Sequence, residues 1–200
     1  ASGVLPNPVG YNRAYVHLDE PLSREAWVAA LAAGRSFMTK GPLLLVTANQ
    51  TVPGNTIHFP SVRKKVVVLD IRLTSQDKIA KLVVIQNGKV TQTIDCSSDL
   101  HQQHQLQINT DSNGWFLVRA IADVEETFRF ATTAPWFVEV SGVNPYISRN
   151  SAQFFLDWVD ERIARVTKNI EDVEKRAEVL KWHLQAKSFW QKKVNAANAE

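Results

Sequence analysis

Over residues 43–140 the chain repeats one pattern: short runs in which apolar and polar residues alternate, separated by turn signals. A period of two sends successive side chains to opposite faces, so each run is a strand with a side to bury. Val67, Leu69, Ile71 and Leu73 share one face of such a run, and Val68, Asp70, Arg72 and Thr74 the other. Residues 79–94 hold Asn87-Gly88 between two alternating runs, the pair that a tight hairpin turn favours. "LLLVTA" and "HQLQINT" (with Leu106 and Ile108 on one face) add strands, and Pro53-Gly54 marks the loop over residues 49–56. "WFLVRAIA" is apolar on much of both faces, and "FRFATTAPWFVEV" is interrupted at Pro135. About seven strands with no helix between them predict a mainly β chain, an antiparallel β-sandwich of immunoglobulin-like type over residues 43–148.

The pattern differs at both ends. Residues 1–10 hold two Pro and two Gly and read as irregular. "YNRAYVHLD" alternates as a strand, which Pro21 ends. Ser23 is placed to cap a short helix with Glu25 in its first turn, Trp27, Ala30 and Leu31 on one face, and Gly34 just past its end. "SFMT" is a second short strand and Gly41-Pro42 a bend, so residues 1–42 form a strand–helix–strand lead-in. From Ser151 the period becomes helical through Phe154, Phe155, Trp158, Val159, Arg162, Ile163 and Val166. Asn169 and Asp172 mark the start of a second helix with Ile170, Val173, Ala177, Leu180 and Leu184 as its stripe. Residues 149–200 are therefore expected to form a helical hairpin packed on the sandwich or on a partner.

Several classes are disfavoured by composition. A chain of 200 residues with 44% hydrophobic residues has a core to build. A net charge of +3 is too small to point to a nucleic acid, and no apolar run reaches the ~18 residues of a membrane span. One Cys, Cys96, rules out an intrachain disulfide and a Cys-rich zinc site. The first residues have neither a basic start nor an apolar core, so no signal peptide is expected among them. The first residue is not Met, so the chain reads as a processed product or a fragment of a longer protein.

Candidate chemistry is sparse. Asp99, His101 and His104 lie close together in "DLHQQH" and would hold a metal ion if the His pair shared a helix face. On a strand the two His point to opposite faces, and a solvated loop or strand is the plainer reading. Arg13 and His17 share a strand face and could hold an anion or pair with Asp19. In "GRSFMTKGPLL", Arg35 and Lys40 flank a helix end and a bend. His58 and His183 are isolated, and the lysines and aromatics of residues 181–193 read as packing anchors. No phosphate-binding loop and no nucleophile elbow is present.

The stretch "GVLPNPVGYNRAYVHLDEPLSREAWVAALAAGRSFMTKGPLLLVTANQTVPG" resembles a segment of metallohydrolase-like proteins of the PHP (polymerase and histidinol phosphatase) superfamily, the carbaryl-hydrolase-type branch. "FATTAPWFVEV" and "AQFFLDWVDERI" resemble later segments of the same family more loosely. The resemblance implies a metal-binding barrel upstream of residue 1 that carries the divalent metal, and no catalytic or metal residue within this chain. Lys40 stands where the family often has Asn, and Thr132 where it often has His. On this reading the chain is a bacterial, non-catalytic C-terminal accessory region. It would support the barrel, the substrate entrance or an oligomer formed through the last two helices. Arg13, His17, Arg35 and Lys40 would face the barrel or its substrate. Two alternatives are a self-standing carbohydrate- or ligand-binding sandwich using Trp115, Trp136 and Tyr146, and a small metal-dependent hydrolase with its own site at His101 and His104.

Overall fold

The computed structural model describes residues 10–60, 65–110 and 112–199. The irregular start expected at residues 1–9, and Asp111 of the turn "DSNG", lie outside them. The lead-in forms β1 (Arg13–Val16), α1 (Arg24–Ala32) and β2 (Ser36–Thr39). Nine strands follow: β3 (Leu43–Ala48), β4 (Thr56–Phe59), β5 (Val66–Thr74), β6 (Ile79–Gln86), β7 (Lys89–Ile94), β8 (His101–Asn109), β9 (Gly114–Ala122), β10 (Phe130–Thr133) and β11 (Trp136–Val140). Two helices end the chain, α2 (Arg149–Asn169) and α3 (Val173–Asn195). The chain divides into two compact units, Ala1–Val143 and Asn144–Glu200.

The first unit is a mainly β, sandwich-like fold. Its larger sheet runs β1-β2-β10-β9-β11-β4, with β6 on the other edge of β9 and β7 beyond β6; the smaller runs β3-β5-β8. The alternation explains the layers. Leu44 and Val46 of β3, Leu69 and Ile71 of β5, and Ile108 of β8 meet Leu82, Val84, Phe116, Val118 and Trp136 of the larger sheet in one buried cluster. Trp136 is wholly buried, stacked on Phe116 at 5.4 Å, and its ring N–H donates to the Thr51 carbonyl.

Several expectations need correction. The expected antiparallel pairing holds for every pair of strands among the described residues but one: β11 and β4 run parallel, Val138 opposite Ile57. Nine strands stand where about seven were expected, because β4 is only four residues long and Pro135 divides the last run in two. Proline has no N–H for the ladder. β10 and β11 both lie along β9, Ala131 opposite Ala120 and Trp136 opposite Phe116, and then diverge to β2 and β4. The eight-plus-three division also differs from the four-plus-three partition of an immunoglobulin constant domain. The lead-in strands continue the larger sheet through the β2–β10 pairing.

Local devices set the joints. The β6–β7 hairpin turns at Asn87 and Gly88, φ +48° and +85°, the left-handed pair of a type I′ turn. The Ser23 hydroxyl accepts from the Ala26 N–H at 3.0 Å and starts α1. This helix buries Ala26 and Ala30, while Leu31, expected on the packed face, is 37% exposed.

In the second unit, Ser148 and Asp172 cap α2 and α3. Ala152, Leu156 and Val166 of α2 and Val194 of α3 are buried, with Trp190 packed beside them. The expected α3 stripe is corrected too: Val173 and Leu184 are exposed, whereas Arg176, Leu180, His183, Lys187 and Trp190 are part-buried. These positions step by four and three to Val194, the spacing of a helix–helix seam. Its charged members are partnered: Arg176 donates to the Ile170 carbonyl and Lys187 lies 2.7 Å from Asp160.

Candidate functional site

Among the described residues, β1 ends the larger sheet and β3 ends the smaller. The Gly41-Pro42 bend carries the chain from one sheet to the other, so β2 and β3 face each other across a wedge. Thr39 fixes that bend: its buried hydroxyl accepts the Gly41 N–H at 3.0 Å and donates to the Pro42 carbonyl. The wedge opens as a cleft of about 450 Å³, within the usual size range of ligand pockets. Its exposed apolar surface comes from Tyr15, Leu43 and Leu45, with Tyr15 stacked on the buried Phe37 at 5.0 Å and 4° between planes. Val52 and Pro53 close one side.

Charged groups stand at the mouth. Asp19 bridges two of them: one carboxylate oxygen lies 2.5 Å from the Arg35 guanidinium and the other 3.1 Å from His17 Nε2. The His17 backbone N–H donates to the Arg35 carbonyl at 2.8 Å, which holds the pair together. On β5, beside Thr47 of β3, Asp70 accepts from the Gln105 amide at 2.7 Å. Arg72 lies opposite Leu45 in the β3–β5 register and has no ion-pair partner among the described residues. Leu43 and Leu45 of β3 are 38% and 51% exposed.

Of the four residues expected to face a barrel or substrate, His17 and Arg35 line the cleft, and Arg13 and Lys40 do not. Arg13 is exposed on β1. The Lys40 ammonium sits over the Tyr11 ring, 4.2 Å from its centre. Tyr11 in turn shares a 2.7 Å hydrogen bond with Thr127. That bond, with help from the Lys40 charge, holds the Tyr11 phenol below its ordinary pKa.

The other candidates lie elsewhere. His101 and His104 sit on opposite faces of β8, since positions three apart on a strand alternate. His101 contacts Thr74 at 3.0 Å, His104 contacts Gln102 at 3.3 Å, and Asp99 accepts from the Ser97 hydroxyl. Among the described residues, no three His, Cys, Asp or Glu side chains are grouped as metal ligands. Burial raises the pKa of the Cys96 thiol, and Asp95 adds to the shift. Of the three aromatics suggested as a sugar platform, Trp136 is fully buried and offers no exposed ring. Thr132 is half-buried in β10. No helix among the described residues is long and apolar enough to cross a membrane.

Sequence reasoning read "LLLVTA" as one more sandwich strand and missed that its outer face borders a cleft. The signal lay in the neighbouring run, where Arg72 and Asp70 alternate onto the same face.

No protein-family model, no curated protein and no solved structure matches this chain.

Proposed function

We propose that the chain is an accessory β-sandwich module that binds, and that its cleft receives an extended peptide segment bearing apolar side chains and one acidic group. The observation that supports this reading is an apolar edge strand beside a cation with no ion-pair partner among the described residues: Leu43 and Leu45 on β3, with Arg72 next to Leu45. An edge strand presents backbone donors and acceptors to an incoming strand, and side-chain pockets then select what is added. Arg35 is already neutralised by Asp19, so Arg72 is the cation with capacity for a carboxylate. In the narrower form implied by the PHP resemblance, the segment belongs to the catalytic barrel of a longer protein, where the metal would also reside.

The test is an NMR titration of the isotope-labelled protein with a blocked peptide of alternating Val and Thr carrying one Glu. The β3 amides should shift. Replacing the Glu by Lys should weaken binding by up to about fivefold, the scale of an exposed ion pair, and Arg72→Glu should invert that preference. Unmoved β3 amides would overturn the proposal. So would octanoate shifting them as strongly as the peptide, since an apolar carboxylate would then suffice without a strand.

A further inference from the structure

The helix α3 carries two seams, and the hairpin uses one of them. The first, through Leu180, His183, Trp190 and Val194, packs within the hairpin. Beside it runs a second: Lys175, Val179, Trp182, Ala186, Phe189 and Lys193 recur at alternating steps of four and three, the repeat with which helices pair. On this second seam Trp182 is 65% exposed and Phe189 51%. Ala186 at its middle lets another helix approach closely.

The apolar patch spans both helices. Phe189 packs edge-on against Trp190, Trp190 stacks on Phe155 at 4.6 Å, and Phe155 contacts Trp158 and Phe154. Phe154 and Trp158 are themselves 64% and 54% exposed. An aromatic side chain offers roughly 150–250 Å², so these four leave about 350–600 Å² uncovered per copy. Doubled, that is about 700–1,200 Å², which reaches the lower bound of a stable interface before Val179 and the lysine stems are added. A two-helix layer also has little core of its own and needs another layer against it.

Charge selects the occupant. From residue 171 to 180 the chain holds Glu171, Asp172, Glu174 and Glu178 against Lys175 and Arg176. From residue 181 to 195 every acidic or basic side chain except His183 is a lysine: Lys181, Lys187, Lys192 and Lys193. A second α3 laid antiparallel sets acidic half beside basic half twice; a parallel one sets like against like. We propose that two copies of the chain associate through this second seam, α3 against α3 in antiparallel sense.

Light scattering on the full chain tests this, with a dimer expected at twice 22.5 kDa. Trp182→Glu should lose the dimer while helical circular dichroism is retained. Two charge variants then separate association from folding: Glu174→Lys with Glu178→Lys, and Lys192→Glu. Each should be monomeric by itself, and an equal mixture should restore the dimer mass. Lys187 is left intact because it pairs with Asp160 inside the hairpin. A wild-type chain that stays at 22.5 kDa on concentration would overturn the proposal, because the seam would then have another occupant. A dimer that survives Trp182→Glu, or charge variants whose mixture does not pair, would overturn it equally.

Discussion

Replacing Gly54 by Ala tests how the cleft wall is anchored. Gly54 has φ +86°, and a Cβ placed there would lie 2.0 Å from the Ala33 carbonyl oxygen and 2.8 Å from the Gly34 carbonyl carbon. Both obstacles are backbone at the end of α1, so no side chain can swing aside. The left-handed conformation costs a non-glycine residue about 1–2 kcal/mol, and forcing apart packed backbone adds about 1–3 kcal/mol. The sum, about 2–5 kcal/mol, is a large part of the ~5–15 kcal/mol that stabilises a domain. At about 2–4 °C per kcal/mol for a chain of this size, Gly54→Ala should lower the sandwich Tm by roughly 5–20 °C. Gly88→Ala is the control: its φ is +85°, with nothing within 4 Å of the added methyl, so it carries the conformational cost without the clash. Thermal unfolding followed by strand circular dichroism compares the two. Equal losses for Gly54→Ala and Gly88→Ala would refute the close-approach argument. The variant should also weaken the proposed peptide binding, because Val52 and Pro53 line the cleft and the Gly54 N–H ties their loop to the Pro135 carbonyl at 2.8 Å.

Thr39→Val removes the hydroxyl that serves both Gly41 and Pro42, and should cost about 1–3 kcal/mol in a urea titration, as expected for buried groups left unpaired; Thr39→Ser should recover most of it. Tyr11 should ionise below the pH of an ordinary tyrosine when its ultraviolet absorbance is followed against a Tyr11→Phe blank. Thr127→Val should return the titration upward, and Lys40→Met should do so by a smaller step. Because the folded pKa lies below the unfolded one, the Tyr11 contribution to stability is complete above the unfolded pKa and is lost as pH falls through the folded one.

The strands and both hairpin helices were legible because their signals are local. Alternation in the β5 run and Asn87-Gly88 between β6 and β7 reflect neighbours in sequence, and so do the caps Ser23 and Asp172. What escaped was non-local. Nothing within "TIHF" announces that it will lie parallel to β11, since the partner is some eighty residues downstream. The exposure of Leu45 follows from β3 ending its sheet, a property of topology that no single run encodes. The α3 stripe was misplaced for a related reason: the helix has apolar residues on more than one face, and periodicity cannot say which face a neighbour takes. Arg35 and His17 were flagged as charges, but their union through Asp19 needed β1 and β2 to pair.

The fork at Pro135 also orders events during synthesis. β5 and β8, or β6 and β7, find each other soon after they emerge from the ribosome. By contrast, β4 waits for β11, and the β1–β2 pair joins the rest of its sheet only through β10; β10 and β11 are the last strands to be made. Such distant pairings slow folding and prolong the exposure of apolar strands. A nascent chain halted just short of Pro135 would have neither the Trp136 plug nor a neighbour for β4, so the sandwich closes only once translation has passed Val140.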